Sequence, residues 1–168
     1  MSMAENGDDA GQPQAAAAQQ SIGVISQYVK DLSFESPGAP QTVLGRTTSP
    51  AINIGVNVQS RRAPQGELEV ELRIEATAKD GENVLFAIEL VYAGLFRLTN
   101  IPDANITPIA MIECPRLLFP FARQIVADAS RNGGFPPLLI DPIDFIQLYR
   151  QRMEQMAAAA QQQPEGNA

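Results

Sequence analysis

Residues 68–92 read LEVELRIEATAKDGENVLFAIELVY, and this stretch decides the fold. In its first half, every second residue is apolar and the residues between are mostly charged, a period of two that predicts a half-buried β-strand. Asp80-Gly81 is a strong hairpin signal. The apolar run from Val84 to Tyr92 then predicts the next strand, so the stretch forms an antiparallel hairpin.

Two further strands precede this hairpin. From residue 52 to residue 59, apolar residues at even positions alternate with polar residues or glycine at odd positions. Residues 24–34 form another β-like run, and the turn-forming sequence SPGAP at 36–40 ends it. Three or four antiparallel strands joined by short turns predict a meander.

The second half of the chain carries helical patterns. Apolar residues recur at close to helical spacing after Cys114, and Asn132-Gly133-Gly134 predicts the end of that helix. A second helix follows, with Asp141 as its N-cap and Pro142 at its first position. Strands followed by helices predict an α+β fold, a four-stranded antiparallel sheet with two C-terminal helices packed on one face.

Both ends of the chain have the composition of disordered segments. Residues 1–20 and 157–168 are rich in Ala, Gln and Gly and hold little apolar side chain to bury. We therefore predict a disordered N-terminal tail over 1–20, a folded domain over 21–156 and a disordered C-terminal tail over 157–168.

The strand predicted over 84–92 is apolar on both faces, with Glu89 as the one charged residue. Such a strand lies either at the centre of a sandwich or beneath a second subunit, because exposed apolar area costs about 25 cal/mol per Å². We favour the second subunit. The glutamates of the preceding strand alternate with its apolar residues, and we interpret them as its solvated side; they are Glu67, Glu69, Glu71 and Glu75.

The composition excludes several function classes. The chain has no His, so it holds no imidazole general base, His-based triad or His metal site. Its net charge of -7 argues against nucleic-acid binding, which needs clustered Lys and Arg. The single Cys114 suits a reducing compartment, and no signal peptide or membrane-spanning run is present. We predict a cytoplasmic protein that is not an enzyme, needs no cofactor and does not insert into membranes.

Three separated segments, in order, resemble the SecB family of bacterial export chaperones. They are YVKDLSFESP at 28–37, ECPRLLFPFAR at 113–123 and GFPPLLIDPIDF at 134–145. The similarity covers residues 22–152. It implies a homotetramer, assembled as a dimer of dimers, that binds unfolded precursor proteins without ATP and delivers them to the SecA motor.

The resemblance also implies roles for individual residues. Asp31, Glu35 and Glu89 match the acidic positions that receive the zinc-bearing C-terminal tail of SecA, so the zinc belongs to the partner. Ile88, Leu90 and Tyr92 match positions of the assembly surface. Clients bind in apolar grooves between the sheet edge, the crossover loop and the helices; the candidates are Ile52, Ile54, Val56, Phe119, Phe121, Phe135, Phe145, Leu148 and Tyr149.

A second class of function stays open at this point. A domain that holds one small apolar ligand between sheet and helices would have the same strands, helices and apolar faces. It would differ in having a closed cavity, a defined stoichiometry and no affinity for unfolded chains.

Overall fold

The fold is built on one antiparallel sheet of four strands. A computed structural model describes residues 18–44 and 49–161. Its strands are β1 (Ser21–Glu35), β2 (Ala51–Arg62), β3 (Leu68–Asp80) and β4 (Asn83–Thr99). They lie in the order β1-β4-β3-β2, and each neighbouring pair is antiparallel. The predicted four-stranded antiparallel sheet is confirmed.

The connectivity differs from the predicted meander at β1. Strands β2, β3 and β4 do follow one another, and Asp80 pairs with Asn83 across the predicted hairpin turn, where Gly81 has a φ of 58°. However, β1 pairs with β4 at the far edge of the sheet instead of with β2. The predicted meander therefore holds for β2, β3 and β4, and β1 joins it as a fourth strand on the far side of β4.

One long helix follows the sheet, and a shorter one ends the described chain. The first begins as α1 (Asp103–Pro108), continues through a π-helical turn (Ile109–Glu113) and becomes α2 (Cys114–Asn132). The helix therefore starts earlier than the predicted start at Cys114. The π turn ends two residues before Pro115, whose ring nitrogen cannot donate to a preceding carbonyl. The second helix is α3 (Phe145–Gln161).

The ends of these helices partly follow the predicted signals. At the end of α2, the amide of Gly133 donates to the carbonyl of Ala129 at 2.9 Å, as expected of a glycine stop. At the start of α3, the amide of Gln147 donates to Asp144 Oδ1 at 3.0 Å, so Asp144 is the N-cap in place of Asp141. Helix α3 also runs on through Gln161, past the predicted tail boundary at 157. Residues 1–17 and 162–168 of the predicted tails lie outside the described residues.

The core lies between the helices and one face of the sheet, which we call the helix face. It holds alternate residues of β3 and β4, among them the fully buried Leu72, Ile74 and Phe96, packed with Leu118 of α2 and Phe145 of α3. The other face, which we call the open face, holds the residues between them. At Gly94, a Cβ atom would lie 2.8 Å from Leu118, so only glycine lets α2 approach β4 this closely.

Three residues predicted for an assembly surface belong to this core. Ile88, Leu90 and Tyr92 are 1%, 0% and 8% exposed, and they join the cluster that packs beneath the helices. Within this one chain their side chains are already enclosed. We therefore assign them to the core. Sequence alternation shows that both faces of β4 are apolar, but it does not show which face the helices cover.

Candidate functional site

A groove runs between the edge strand β2 and helix α3, and we call it the edge groove. Its volume is about 470 Å³. Val56 lines it from β2, and Leu148 and Tyr149 line it from α3. Three of the predicted client-binding residues therefore meet in one place. The remaining lining residues are Asn57, Val58, Met111, Gln151, Arg152 and Gln155.

Two more candidates extend the apolar surface of β2. Ile52 and Ile54 are on the same face of the strand as Val56, and they are 45% and 37% exposed. Both isoleucine side chains are therefore substantially exposed to solvent, although they lie on a regular strand. Together with the edge groove they form an apolar strip along the outer strand of the sheet.

The predicted aromatic candidates lie elsewhere. Phe119, Phe135 and Phe145 are 8%, 4% and 1% exposed, and all three are in the core. Phe121 is 52% exposed, but its ring stacks at 6.4 Å on that of Tyr92, toward the β1 side of the sheet. These four aromatic residues therefore lie outside the edge groove in the described structure.

A second exposed apolar surface lies at the opposite edge, and the sequence analysis missed it. We call it the β1 patch; it consists of Val24, Val29 and Leu32 of β1 with Leu117 and Phe121 of α2, all exposed by 43% or more. Helix α2 covers β4 and leaves much of the neighbouring β1 uncovered, although Ile22 and Phe34 pack against the core. The period of two is hard to read in β1, because register shifts beside Ile25 and Lys30 interrupt its pairing with β4.

The three predicted acidic residues come together on the open face. Glu89 of β4 lies opposite Ser33 of β1, and Asp31 and Glu35 flank that serine on the same side of the strand. All three carboxylates are exposed. Glu75 of β3 lies directly opposite Glu89 from the other side and extends the set. We call these four residues the acidic patch.

Like charges in directly opposed positions repel each other. Among the described residues, the one ion pair of Glu75 is with Arg73 of the same strand, whose Nη1 lies 4.0 Å from Glu75 Oε1. The acidic patch is therefore a concentration of negative charge that a cationic partner would relieve. The sequence analysis interpreted Glu75 as part of a solvated strand and missed its place beside Glu89.

Glu69 is buried, whereas Glu75 is exposed, although both lie on the open face of β3. It is 6% exposed and accepts hydrogen bonds from Tyr28 Oη at 2.5 Å, Lys30 Nζ at 3.1 Å and Arg61 Nε. Burial alone would raise the pKa of Glu69, but these three donors outweigh burial and lower it to about 2. The interpretation of Glu69 as a solvated side chain was wrong.

The same cluster explains how the open side of β4 is covered. Tyr28 lies opposite Ala93 of β4, yet its hydroxyl reaches Glu69 on β3, the strand beyond. Its ring must therefore cross β4, where Val91 and Ala93 are 4% and 0% exposed. Side chains from within the chain cover this part of the strand, and no second subunit is needed there.

The one cysteine is unsuited to chemistry. Cys114 is fully buried at the start of α2, and burial raises the pKa of its thiol to about 12. The thiol is therefore protonated near neutral pH and is a poor nucleophile. The described residues hold no group of three or more Cys, Asp or Glu positioned to bind a metal ion. Within them, no helix is both long and apolar enough to cross a membrane.

Comparison with known proteins places the chain in a family. The family model described as "Preprotein translocase subunit SecB" matches residues 15–156. The chain belongs to the SecB family. A protein-export protein SecB of Rhodopseudomonas palustris is 54% identical over 149 residues, which are 89% of this chain and 94% of the relative. Another from Xanthobacter autotrophicus is 56% identical over 135 residues, 80% of this chain and 86% of the relative.

A solved structure shows the same fold. It is a SecB-like chaperone of Mycobacterium tuberculosis in complex with a peptide from an antitoxin, with a TM-score of 0.60 and 14% identity. The similarity covers 73% of this chain and 90% of that one. The SecB family is a family of export chaperones and not of enzymes, so this chain is an export chaperone.

The Glu69 cluster predicts a specific dependence of stability on pH. Because the pKa of Glu69 is about 2 in the folded protein against its ordinary 4.5, its stabilisation is complete above about pH 5 and is lost as the pH falls toward 2. We expect Glu69→Gln to lower the free energy of unfolding by about 2–3 kcal/mol at pH 7, and by little near pH 2. Urea unfolding at fixed protein concentration measures this.

The control is Glu82→Gln, which removes a carboxylate from the exposed β3–β4 turn. It should change the free energy of unfolding by less than about 0.5 kcal/mol at either pH. A loss in Glu69→Gln that stays the same size from pH 7 to pH 2 would mean that packing, and not the buried charge, stabilises this position.

Proposed function

We propose that this chain is an ATP-independent holdase that binds unfolded precursor proteins along the apolar strip of β2 and delivers them to SecA in the cytoplasm. The observation that carries the proposal is the exposure of Ile52 and Ile54 beside the edge groove. Of the client-binding candidates, those that remain available to a client are the two isoleucines and the groove residues Val56, Leu148 and Tyr149. Phe121 belongs to the β1 patch.

The chemistry of this strip suits an unfolded chain. Hydrophobic contact is non-directional, so aliphatic side chains accept many client sequences without demanding one. The strip also lies along the sheet edge, where the backbone of β2 offers hydrogen bonds to an extended polypeptide. Binding of this kind needs no nucleotide, since a client leaves when it folds or when another protein captures it.

The proposal is tested by light scattering of a chemically unfolded protein diluted into buffer without nucleotide. We expect the wild-type chain to suppress aggregation and Ile54→Thr to bind the client about threefold to tenfold more weakly, because it loses apolar contact and keeps a β-branched side chain. Leu139→Thr, at an exposed apolar residue outside the edge groove, is the matched control and should behave as the wild type.

Two results would contradict the assignment. Equal weakening in both variants would mean that the strip is not the client site. No suppression by the folded wild-type chain would contradict the holdase function and favour the alternative, a binding domain for a small apolar ligand. The exposure of Ile52 and Ile54 at a sheet edge supports the holdase, because a small ligand is better held in an enclosed cavity.

We propose further that the acidic patch receives the C-terminal tail of SecA. Asp31, Glu35 and Glu89 are exposed on one face, and Glu75 adds a fourth carboxylate opposite Glu89. Basic groups of a partner would form charge-assisted hydrogen bonds with these carboxylates. The apolar strip is formed by side chains on the helix face, so partner and client would use different surfaces.

A charge reversal separates the two activities. We expect Glu89→Lys to weaken binding of the SecA tail by at least about tenfold, because it both removes an acceptor and repels cations, and to leave suppression of aggregation unchanged. Calorimetric titration with the zinc-loaded tail measures the first, and light scattering the second. Glu82→Lys carries the same charge change in the exposed β3–β4 turn and should affect neither. Equal loss of both activities in Glu89→Lys would refute this assignment.

We propose that the β1 patch, and not Ile88, Leu90 and Tyr92, forms contacts in a homotetramer. Contiguous exposed apolar side chains from two elements are typical of an interface between subunits. The strand register indicates that the β1 and α2 parts of this patch are neighbours, because Val29 lies opposite Tyr92 and the ring of Phe121 stacks on that of Tyr92. A dimer of dimers would bury this patch and leave β2 free for clients.

Sedimentation velocity tests the assembly. We expect Phe121→Asp to shift the chain from tetramer to smaller species at micromolar concentration, because an unpaired carboxylate in an apolar interface costs several kcal/mol. Leu139→Asp should leave the tetramer intact. A tetramer that persists in Phe121→Asp would exclude that residue from the interface.

A further inference from the structure

Along the edge strand β2, the backbone N–H and C=O groups of successive residues point alternately toward β3 and away from the sheet. Its pairing with β3 is continuous from Ala51 to Arg62, without a register shift. Just beyond the strand, the amide of Ala63 donates to the carbonyl of Glu67 at 2.8 Å, so the backbone groups of odd-numbered residues point toward β3. The N–H and C=O groups of even-numbered residues therefore point outward.

A side chain of helix α3 donates a hydrogen bond to one of these outward-pointing carbonyl groups. Arg152 Nη1 donates to the carbonyl oxygen of Val58 at 2.5 Å. Arg152 lies one turn beyond Leu148 on α3, so it follows the apolar wall of the edge groove on the same side of the helix. Among the residues that the structure describes, none contacts the outward groups of Ile52, Ile54 or Val56 by a hydrogen bond.

We propose that Arg152 is a stop that ends the usable edge of β2. An extended client segment pairs its backbone with Ile52, Ile54 and Val56 and cannot continue at Val58, because the guanidinium holds that carbonyl and fills the path of the added strand. Arg152 thereby fixes the register of the client strand. This inference rests on the proposed client site, to which it adds the mode of binding and its limit.

The stop also has a physical rationale in the free chain. A fully exposed edge strand pairs with other edges and leads to aggregation, and proteins commonly block such edges with a charged side chain. A charge placed at one point, and not along the whole strand, shortens the exposed edge while it leaves Ile52, Ile54 and Val56 available. The charge-assisted bond to Val58 is stronger than one between neutral groups, so a weakly bound strand would not displace it.

Amide hydrogen exchange by NMR tests the stop, with a synthetic peptide of alternating valine and threonine flanked by glutamines as the probe. In the wild-type chain we expect the peptide to protect the amides of Ile54 and Val56 and to leave those of Val58 and Ser60 unchanged. In Arg152→Ala, protection should spread to Val58 and Ser60, and the Kd should fall by about threefold to tenfold through the added backbone hydrogen bonds.

Two variants serve as controls. Arg150→Ala removes the same charge from an exposed position of α3 and should keep the wild-type pattern of protection. Arg152→Lys keeps a charged donor and should restore most of the stop. Protection at Val58 in the wild-type chain, or an identical pattern in Arg152→Ala, would overturn the proposal. So would binding without protection of any β2 amide, whereas a lack of peptide binding together with a lack of aggregation suppression would contradict the proposed function itself.

Discussion

The whole fold depends on covering β4 from both sides. Apart from Glu89, this strand is apolar on both faces, so most of each face must be covered from water. On the helix face, α2 covers Leu90 and its neighbours, and Gly94 permits the close approach. On the open face, the ring of Tyr28 lies across the strand, and its hydroxyl donates a hydrogen bond to the buried carboxylate of Glu69. Because β1 supplies this cover, it must lie beside β4, and β2 is left as the opposite edge.

That arrangement determines which surfaces remain available. The helices cover the two central strands and reach the outer strands only in part, so apolar side chains of β1 and β2 stay exposed on the helix face. The two edges are not equivalent. On β2, apolar side chains lie beside a groove and a backbone edge whose outward groups at Ile52, Ile54 and Val56 have no hydrogen-bond partner among the described residues, which suits an extended chain. On β1, they lie beside Leu117 and Phe121 of α2, which gives a broader apolar surface of the kind that subunits bury against each other.

Local patterns in the sequence predicted the elements well, whereas their surroundings depended on non-local pairing. Alternation and the Asp80-Gly81 turn identified the strands, because both signals arise within a few residues. The position of β1 escaped prediction, since its register with β4 is interrupted and spans most of the domain in sequence. Likewise, Phe119 and Phe121 look alike in the sequence, yet one is buried and the other exposed according to which side of α2 faces the sheet. Glu69 and Glu75 also look alike in the sequence, but non-local pairing brings Tyr28, Lys30 and Arg61 to Glu69 alone.

The division of charge between the faces bears on how a client would be released. On the proposed assignment, the acidic patch lies on the open face, and the apolar strip lies on the helix face at the β2 edge. A partner tail that binds the patch therefore does not compete with the client for the same side chains. The two surfaces lie on opposite faces of the sheet, so the side chains that would bind the partner and those that would bind the client do not contact each other. On this assignment, binding of the partner would bring a second protein near the client without expelling it, and the client would transfer as its weak, separate contacts dissociate one at a time.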